Sequence, residues 1–239
     1  MFEYHELTTI TTGNEELDTR MGGGIPYPSL VIIEGSIGSG KTTLLAQFIF
    51  GALLAEKSVL LLLTEQTTVQ FLNQTRNIMI NLDKYYAGGA LSIYSLPRVS
   101  NVLTKELAHT YVERIINHLP LWIQRFNIIA IDSLTPLARE LSDDIIISLF
   151  LNFRRAASQG VIIFVTYHED IFSSKVKNSI TALSDVYLKL STGEFGGRFV
   201  KLLHIVKIRG APEVSESTIA FEVDPAFGIK IVPIAIAKV

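Results

Sequence analysis

Uninterrupted runs of apolar residues alternate with segments of helical spacing through most of the chain. The runs are rich in leucine and β-branched residues, which predicts buried strands at 29–34, 58–64, 127–133 and 161–166. A shorter run at 91–95 predicts a further strand. Between them, apolar spacing predicts helices at 43–54, 67–79, 101–118 and 143–158. Alternating strands and helices are typical of parallel βαβ units, so we expect an α/β fold with a mainly parallel sheet flanked by helices.

The pattern changes in the last quarter of the chain, where little helix is predicted. Strands are predicted there at 186–190, 198–207, 218–223 and 229–233, with a hairpin turn at 194–197. This part predicts an antiparallel β extension at the C-terminal end of the parallel sheet. Because the sequence contains neither an internal repeat nor a linker, we expect one domain over residues 1–239.

The helix at 67–79 carries a more detailed prediction. Thr67 or Thr68 can cap its first turn. Helical spacing then predicts that Val69, Leu72 and Met79 lie on its buried side.

A glycine-rich segment follows the first of the buried strands and precedes a predicted helix. Residues 35–42 fit the pattern G-x-x-x-x-G-K-[ST], and strand, loop and helix is the context that this phosphate-binding motif requires. Its glycines allow the backbone N–H groups to approach phosphate oxygens at the positive end of the helix. Lys41 supplies a charge for the β- and γ-phosphates, and Thr42 supplies a hydroxyl for Mg²⁺. The candidate nucleotide-binding residues of the loop are Gly35, Ser36, Ile37, Gly38, Ser39, Gly40, Lys41, Thr42 and Thr43.

Two carboxylates end predicted strands that should lie beside this loop. Asp132 follows four apolar residues, and at a strand end it could hold Mg²⁺ together with Thr42. The alternative is a helix cap, but a phosphate loop upstream favours the magnesium role. Glu65 follows the strand at 58–64, where it could orient or deprotonate an attacking water. A glutamate in the first turn of a helix is an equally good interpretation of Glu65.

Lys207 and Arg209 form a cation pair on a late strand. Alternation along a strand predicts that both side chains leave the same face. Such a pair could reach the γ-phosphate held by a neighbouring subunit. It could also be two solvated residues on an edge strand, and the residues alone favour this second interpretation.

Composition narrows the class of protein. The net charge is −2, with 21 basic and 23 acidic residues and no basic run, which argues against an electrostatic nucleic-acid binder. Cysteine is absent, which excludes disulfides and thiolate metal sites. No stretch has the length and apolarity of a membrane-spanning helix, and residues 1–6 lack the features of a secretory signal. We therefore expect a cytoplasmic protein that does not insert into a membrane.

Several motifs along the chain resemble the RecA-like KaiC superfamily. They are the segments 12–18, 22–26, 35–42, 131–133 and 207–210. Further segments resemble, more narrowly, the KaiC-like ATP-binding proteins of the archaeal motility motor, the archaellum. These are 22–28, 64–68, 185–190 and 224–230, so that the resemblance covers nearly everything from residue 12 onward.

The resemblance implies a RecA-type fold that binds ATP at the subunit boundaries of a hexameric ring. It implies that Glu65 is the catalytic glutamate, and that Lys207 and Arg209 reach ATP across the interface. Members of the family usually carry two adjacent glutamates, whereas here the second residue is Gln66, which puts efficient hydrolysis in doubt. Pro28 also stands where KaiC relatives often have glycine. The implied partners are the motor's hexameric ATPase, FlaI, and the membrane platform protein onto which FlaI docks.

Three functions compete on these grounds. The first is a regulatory or scaffold component in which bound ATP sets ring assembly and hydrolysis is slow or absent. The second is an active ring ATPase with Glu65 as base and Arg209 acting in trans, a role in which arginine fingers contribute a factor of roughly 10³–10⁵. The third is a DNA-dependent, recombinase-like ATPase that binds DNA through the loop region at 168–177. That region mixes acidic residues with two lysines and lacks the basic, aromatic-rich character of such a loop, so we place it last.

Overall fold

The computed structural model describes residues 8–96, 103–195, 197–210 and 216–233. Eleven strands occur in these residues. They are β1 Thr8–Ile10, β2 Ile25–Tyr27, β3 Ser29–Gly35, β4 Val59–Leu63, β5 Leu91–Ser95, β6 Ile128–Asp132, β7 Ile162–Tyr167, β8 Val186–Phe195, β9 Arg198–Ile208, β10 Thr218–Asp224 and β11 Gly228–Val232. The helices are α1 Glu15–Arg20, α2 Lys41–Leu54, α3 Thr68–Arg76, α4 Asp83–Ala87, α5 Lys105–Arg125, α6 Thr135–Ala138, α7 Asp143–Ala157 and α8 Ser174–Leu183.

Nine of the strands form one sheet in the order β11-β10-β9-β8-β3-β7-β6-β4-β5. The strands from β8 to β5 in this order are parallel, and the pairs β8–β9, β9–β10 and β10–β11 are antiparallel. This topology confirms the predicted parallel sheet with a C-terminal antiparallel extension. The phosphate loop leaves β3, near the centre of the sheet.

Both faces of the parallel strands are covered by helices, which explains why these strands are apolar without alternation. One face packs under α2 and α3, through side chains such as Ile33, Leu61 and Phe48. The other packs under α5, α7 and α8, through side chains such as Ile32, Leu60 and Phe153. The sheet is therefore a rigid support, and the residues that follow the carboxyl ends of its strands meet at one edge.

Several local predictions are wrong or incomplete. Thr67 caps helix α3 as predicted, and Leu72 packs against the core as predicted. The helix ends at Arg76, its fully buried residues are Phe71 and Thr75, and Val69 and Met79 are exposed, so the rest of the predicted face is wrong. Helix α5 continues to Arg125 through Pro120, and its predicted start at 101 lies outside the described residues. The small sheet β1–β2, the short helices α4 and α6, and α8 were not predicted. Position 196 of the predicted hairpin turn also lies outside the described residues.

Among the helices in the described part of the chain, none combines the length and the apolar character that crossing a bilayer requires.

Candidate functional site

The phosphate loop connects β3 to α2 and places Lys41 at the first position of the helix. Gly40, the residue before it, has a φ of +100°, a conformation that side chains rarely tolerate. The Lys41 ammonium donates hydrogen bonds of 2.8 Å to the carbonyl oxygens of Gly35 and Ser36. The lysine therefore lies across the mouth of its own loop, at the positive end of α2.

Asp132, at the end of β6, meets the start of α2. The Thr42 hydroxyl donates to Asp132 Oδ2 at 2.8 Å, and the Thr166 hydroxyl donates to Oδ1 at 2.6 Å. Burial raises the pKa of Asp132, while the two hydroxyl hydrogen bonds lower it in part. A buried carboxylate beside a hydroxyl is the hard oxygen donor set that Mg²⁺ prefers, and a cation would relieve the desolvation of Asp132. The residues present thus fit the predicted metal.

An open cavity of about 640 Å³ extends over the loop. Its lining comprises Ile37, Gly38, Gly40, Lys41, Thr42, Thr43, Glu65, Gln74, Ile78, Asp132, His168, Lys201 and Val223. The cavity volume falls in the range typical of small-ligand sites. The structure therefore brings Glu65 and Asp132 together with the phosphate loop, as the sequence predicts.

Three carboxylates influence the charge of Lys41. Burial lowers the pKa of Lys41, and the charges of Glu65, Asp132 and Glu169 oppose this shift. His168 Nε2 lies 4.0 Å from Glu65 Oε1. Burial, followed by the charge of Lys41, lowers the pKa of His168, so the imidazole is neutral at physiological pH. Any proton transfer that Glu65 performs would take place beside this neutral histidine.

Lys201 is a site residue that sequence reasoning missed. It lies on β9, in the antiparallel extension, and its ammonium donates to the Gly38 carbonyl oxygen at 2.7 Å. Its side chain also covers Gly40, because a Cβ built there would lie 2.9 Å from Lys201 Cδ. Burial lowers the pKa of Lys201, and no carboxylate contributes to that shift. A single lysine in an apolar strand carries no motif, so only the fold reveals that it faces the loop.

Lys207 and Arg209 lie away from the cavity of their own chain. The Lys207 ammonium donates to the carbonyl oxygens of Thr181 at 2.7 Å and Ser184 at 2.5 Å, at the end of α8. Arg209 Nη1 lies 3.9 Å from Asp185 Oδ1, and the Arg209 side chain is 55% exposed. Their predicted role across a subunit boundary remains a prediction, since the structure contains a single chain.

Comparison with known proteins gives consistent matches over nearly the whole chain. The family model described as "ATPase: KaiC" matches residues 10–236. The archaeal flagellar ATP-binding protein FlaH of Sulfolobus acidocaldarius is 40% identical over 229 residues, which cover 96% of this chain and 99% of that protein. FlaH of Methanocaldococcus jannaschii is 28% identical over 95% of this chain and 96% of its own length.

More distant and structural matches agree. The circadian clock oscillator protein KaiC of Parathermosynechococcus lividus is 26% identical over 84% of this chain, which corresponds to 37% of that protein. The crystal structure of the flagellar accessory protein FlaH from Methanocaldococcus jannaschii superposes with a TM-score of 0.82 at 26% identity and covers 96% of this chain and 100% of that one. The chain therefore belongs to the KaiC-like ATPases of the RecA superfamily and, within them, to the FlaH family of archaeal flagellar ATP-binding proteins.

Proposed function

We propose that the protein is a regulatory ATP-binding component of the archaellum motor, in which bound Mg²⁺-ATP sets ring assembly and partner binding while hydrolysis is slow or absent. One observation carries the proposal. The groups suited to binding phosphate and metal lie in one cavity of a single chain, whereas Lys207, a cation expected to promote hydrolysis across a subunit boundary, is engaged by two carbonyl oxygens at the end of α8.

Binding follows from the chemistry of the loop. Backbone N–H groups of the loop and the positive end of α2 would hold the phosphates, and Lys41 would exchange its two carbonyl partners for phosphate oxygens. Lys201 would add a second cation from the antiparallel extension. Mg²⁺, when bound, would neutralise phosphate charge, and Thr42 and Asp132 would hold it.

The interpretation of slow hydrolysis rests on Glu65 and its surroundings. Glu65 is followed by Gln66, whose neutral amide cannot act as a base, so Glu65 is the only carboxylate of this adjacent pair. Lys207 would have to leave the two α8 carbonyl oxygens before it could contact a nucleotide in another subunit. Both features favour binding over rapid turnover.

Assembly and location are proposed on the strength of the relatives, which are named as archaeal flagellar proteins. We propose a hexameric ring that binds the motor ATPase FlaI and, through it, the membrane platform protein, on the cytoplasmic side of the membrane. The most exposed large apolar side chains in the described part of the chain are Ile37 and Phe199, each 81% exposed, and Phe227, which is 77% exposed. Ile37 lines the nucleotide cavity, and Phe199 lines an adjoining cavity that shares Lys201, so a neighbouring subunit would cover apolar surface there.

An active ring ATPase is the second candidate, because Glu65 lines the cavity together with Lys41 and Asp132. ATP binding and ATP turnover measured on the same purified protein distinguish the two candidates. Lys41→Ala and Glu65→Gln would be compared with Lys175→Ala, a matched control on the exposed side of α8. The proposal expects tight binding that is lost in Lys41→Ala, with negligible turnover in every variant. Turnover that depends on Glu65 and approaches the median enzyme value of about 10 s⁻¹ would support the active ATPase instead.

A further inference from the structure

A buried polar cluster lies directly before the phosphate loop, on the side of the sheet that faces α8. Glu34, the residue before Gly35, has a carboxylate that is only 5% exposed. The Tyr187 hydroxyl donates to one of its oxygens, and the Lys177 ammonium donates to the other at 3.2 Å. Since Tyr187 gives its only proton to Glu34, the Tyr167 hydroxyl, 2.8 Å away, donates to Tyr187.

This cluster is unrelated to the predicted chemistry of the site. Burial, followed by the hydrogen bond to Glu34, raises the pKa of Tyr187, so its proton stays in place and Glu34 acts as the acceptor. Breaking the pair between Lys177 and the buried Glu34 carboxylate would leave an uncompensated buried charge, which is strongly unfavourable. Lys177, on α8, is therefore tied to the root of the loop, by which we mean Glu34 and Gly35, where β3 passes into the phosphate loop.

The root of the loop has little freedom to move independently. A Cβ on Gly35 would lie 2.6 Å from the Leu190 carbonyl oxygen and 2.6 Å from Ser39 Oγ, so the backbone is tightly packed on that side. The Gly35 carbonyl is also one of the two groups that hold the Lys41 ammonium. When Lys41 turns toward phosphate, the hydrogen bonding of Gly35 changes, and Glu34 is the next residue along the chain.

The other end of α8 is held by a second lysine. Lys207 on β9 donates to the carbonyl oxygens of Thr181 and Ser184, which satisfies orphan acceptors of the last helical turn. Helix α8 thus bridges two fixed points: the root of the phosphate loop through Lys177, and the far part of β9 through Lys207.

We propose that Glu34 and Lys177 are positioning residues that couple occupancy of the phosphate loop to α8 and, through α8, to the surface that carries Lys207. The inference rests on the proposed function in that the coupled ligand is ATP. It adds a route by which bound nucleotide changes a remote surface of the same chain without hydrolysis.

Amide hydrogen exchange across residues 174–183, with and without Mg²⁺-ATP, tests the coupling in the full-length protein. In the wild type, ATP should slow exchange in α8 by about three-fold or more. Bound phosphate would fix the loop and Glu34, and Glu34 would then hold the first turn of α8 more firmly through Lys177. In Lys177→Met this ATP-dependent difference should disappear. Lys175→Met is the matched control, because Lys175 lies on the same helix but pairs with exposed Asp144, and it should keep the difference.

Binding of fluorescent ATP on the same samples separates the possible failures. Wild type that binds ATP without any change in α8, or Lys177→Met that keeps the full change, would overturn the coupling and leave the proposed function intact. If contact between subunits causes the slower amide exchange, the slowing would persist in Lys177→Met, and this result would also count against the coupling. Wild type that binds no ATP would overturn both. If Lys177→Met fails to fold, Glu34→Gln, which keeps the shape and the acceptor for Tyr187, should lose the difference in its place.

Discussion

The two ends of β9 place lysines in opposite environments. Lys201 pairs with Thr192 of β8, just past the edge at which Leu190 lies beside Gly35, so it reaches the phosphate loop. Lys207 pairs with Tyr187, which in turn pairs with Ile32 in the interior of β3. The two lysines are six positions apart, which corresponds to about 20 Å of strand. One end of the strand completes the nucleotide site, and the other end stabilises a helix.

A β-bulge accounts for the change of face between these lysines. Leu188 pairs with Ile205 and Tyr187 pairs with Lys207, so Val206 is an extra residue on β9. Leu203 and Ile205 pack in the cluster under α2, and Ile208, not Lys207, continues that face. The bulge therefore turns Lys207 toward α8. The alternation of residues along a strand therefore predicts which face of the sheet a side chain lies on only up to the next β-bulge.

Removing Lys41, the lysine of the phosphate loop, is expected to have the largest effect on ATP binding, and it sets the scale for the two lysines of β9. Lys41→Ala should weaken ATP binding by about ten-fold to 150-fold, because a charged hydrogen bond contributes about 1.5–3 kcal/mol. Titration with fluorescent ATP measures the loss, and the unfolding midpoint checks that the fold is intact. Affinity that stays within about two-fold of wild type, less than 0.5 kcal/mol, would show that phosphate is not bound at this loop.

Asp132→Asn should remove the contribution of Mg²⁺ to the affinity for ATP. We expect its affinity for ATP in Mg²⁺ to fall by about ten-fold, to the value that wild type shows with a chelator, because the neutral amide is a poor ligand for a hard cation. The measurement is ATP binding with and without Mg²⁺ in both proteins. Asp132→Asn that retains the full effect of Mg²⁺ would place the metal elsewhere.

Lys201→Met tests the near end of β9. It should weaken ATP binding by about three-fold to ten-fold, less than Lys41→Ala, because Lys201 is half-buried and lies at the side of the loop. Methionine keeps the apolar length of the side chain over Gly40, so packing is preserved. Unchanged affinity would mean that Lys201 serves only to hold the Gly38 carbonyl.

Lys207→Met tests the far end of the same strand. ATP affinity of dilute protein should stay within about two-fold of wild type, whereas the free energy of unfolding should fall by about 1–2 kcal/mol, because two carbonyl groups of α8 lose a charged donor. Urea unfolding and ATP titration give the two values. A large loss of affinity in dilute protein would contradict the separation of the two ends.

The smallest expected effect concerns pH. The pKa of Asp132 is raised in the folded protein, so the folded chain keeps a proton that the unfolded chain releases as pH rises above the ordinary aspartate value of 3.8. Stability without Mg²⁺ therefore decreases as pH rises through that window, and it is greatest below it. Asp132→Asn should flatten this part of the profile, which urea midpoints at several pH values would show. An identical slope in both proteins would mean that the pKa of Asp132 is the same in the folded and the unfolded chain, and would contradict the raised value.

The sequence predicts the fold well where apolar runs are long. Strands such as β3 and β6 are buried on both faces, and their uninterrupted apolar residues are typical of buried parallel strands. The glycine-rich motif that follows β3 then predicts a phosphate site at the end of that strand. Lys201 and Glu34 could not be predicted because each depends on partners more than 140 positions away, Gly38 for the first and Lys177 for the second. The buried face of α3 was predicted incorrectly for a simpler reason: the predicted face left out Phe71 and Thr75, the residues that the helix buries most fully.

A single chain should contain the groups needed to bind ATP, whereas Lys207, at the far end of β9, stabilises α8 and does not contact the nucleotide of its own chain. The most direct test is the ATP dissociation constant measured over a range of protein concentrations, with the oligomeric state determined for each sample. We expect single chains to bind ATP and the dissociation constant to fall as rings assemble, because ATP that sets assembly must bind the assembled state more tightly, and the bound ATP should remain intact. Binding that appears only when chains associate, or that is lost in dilute Lys207→Met, would contradict the account.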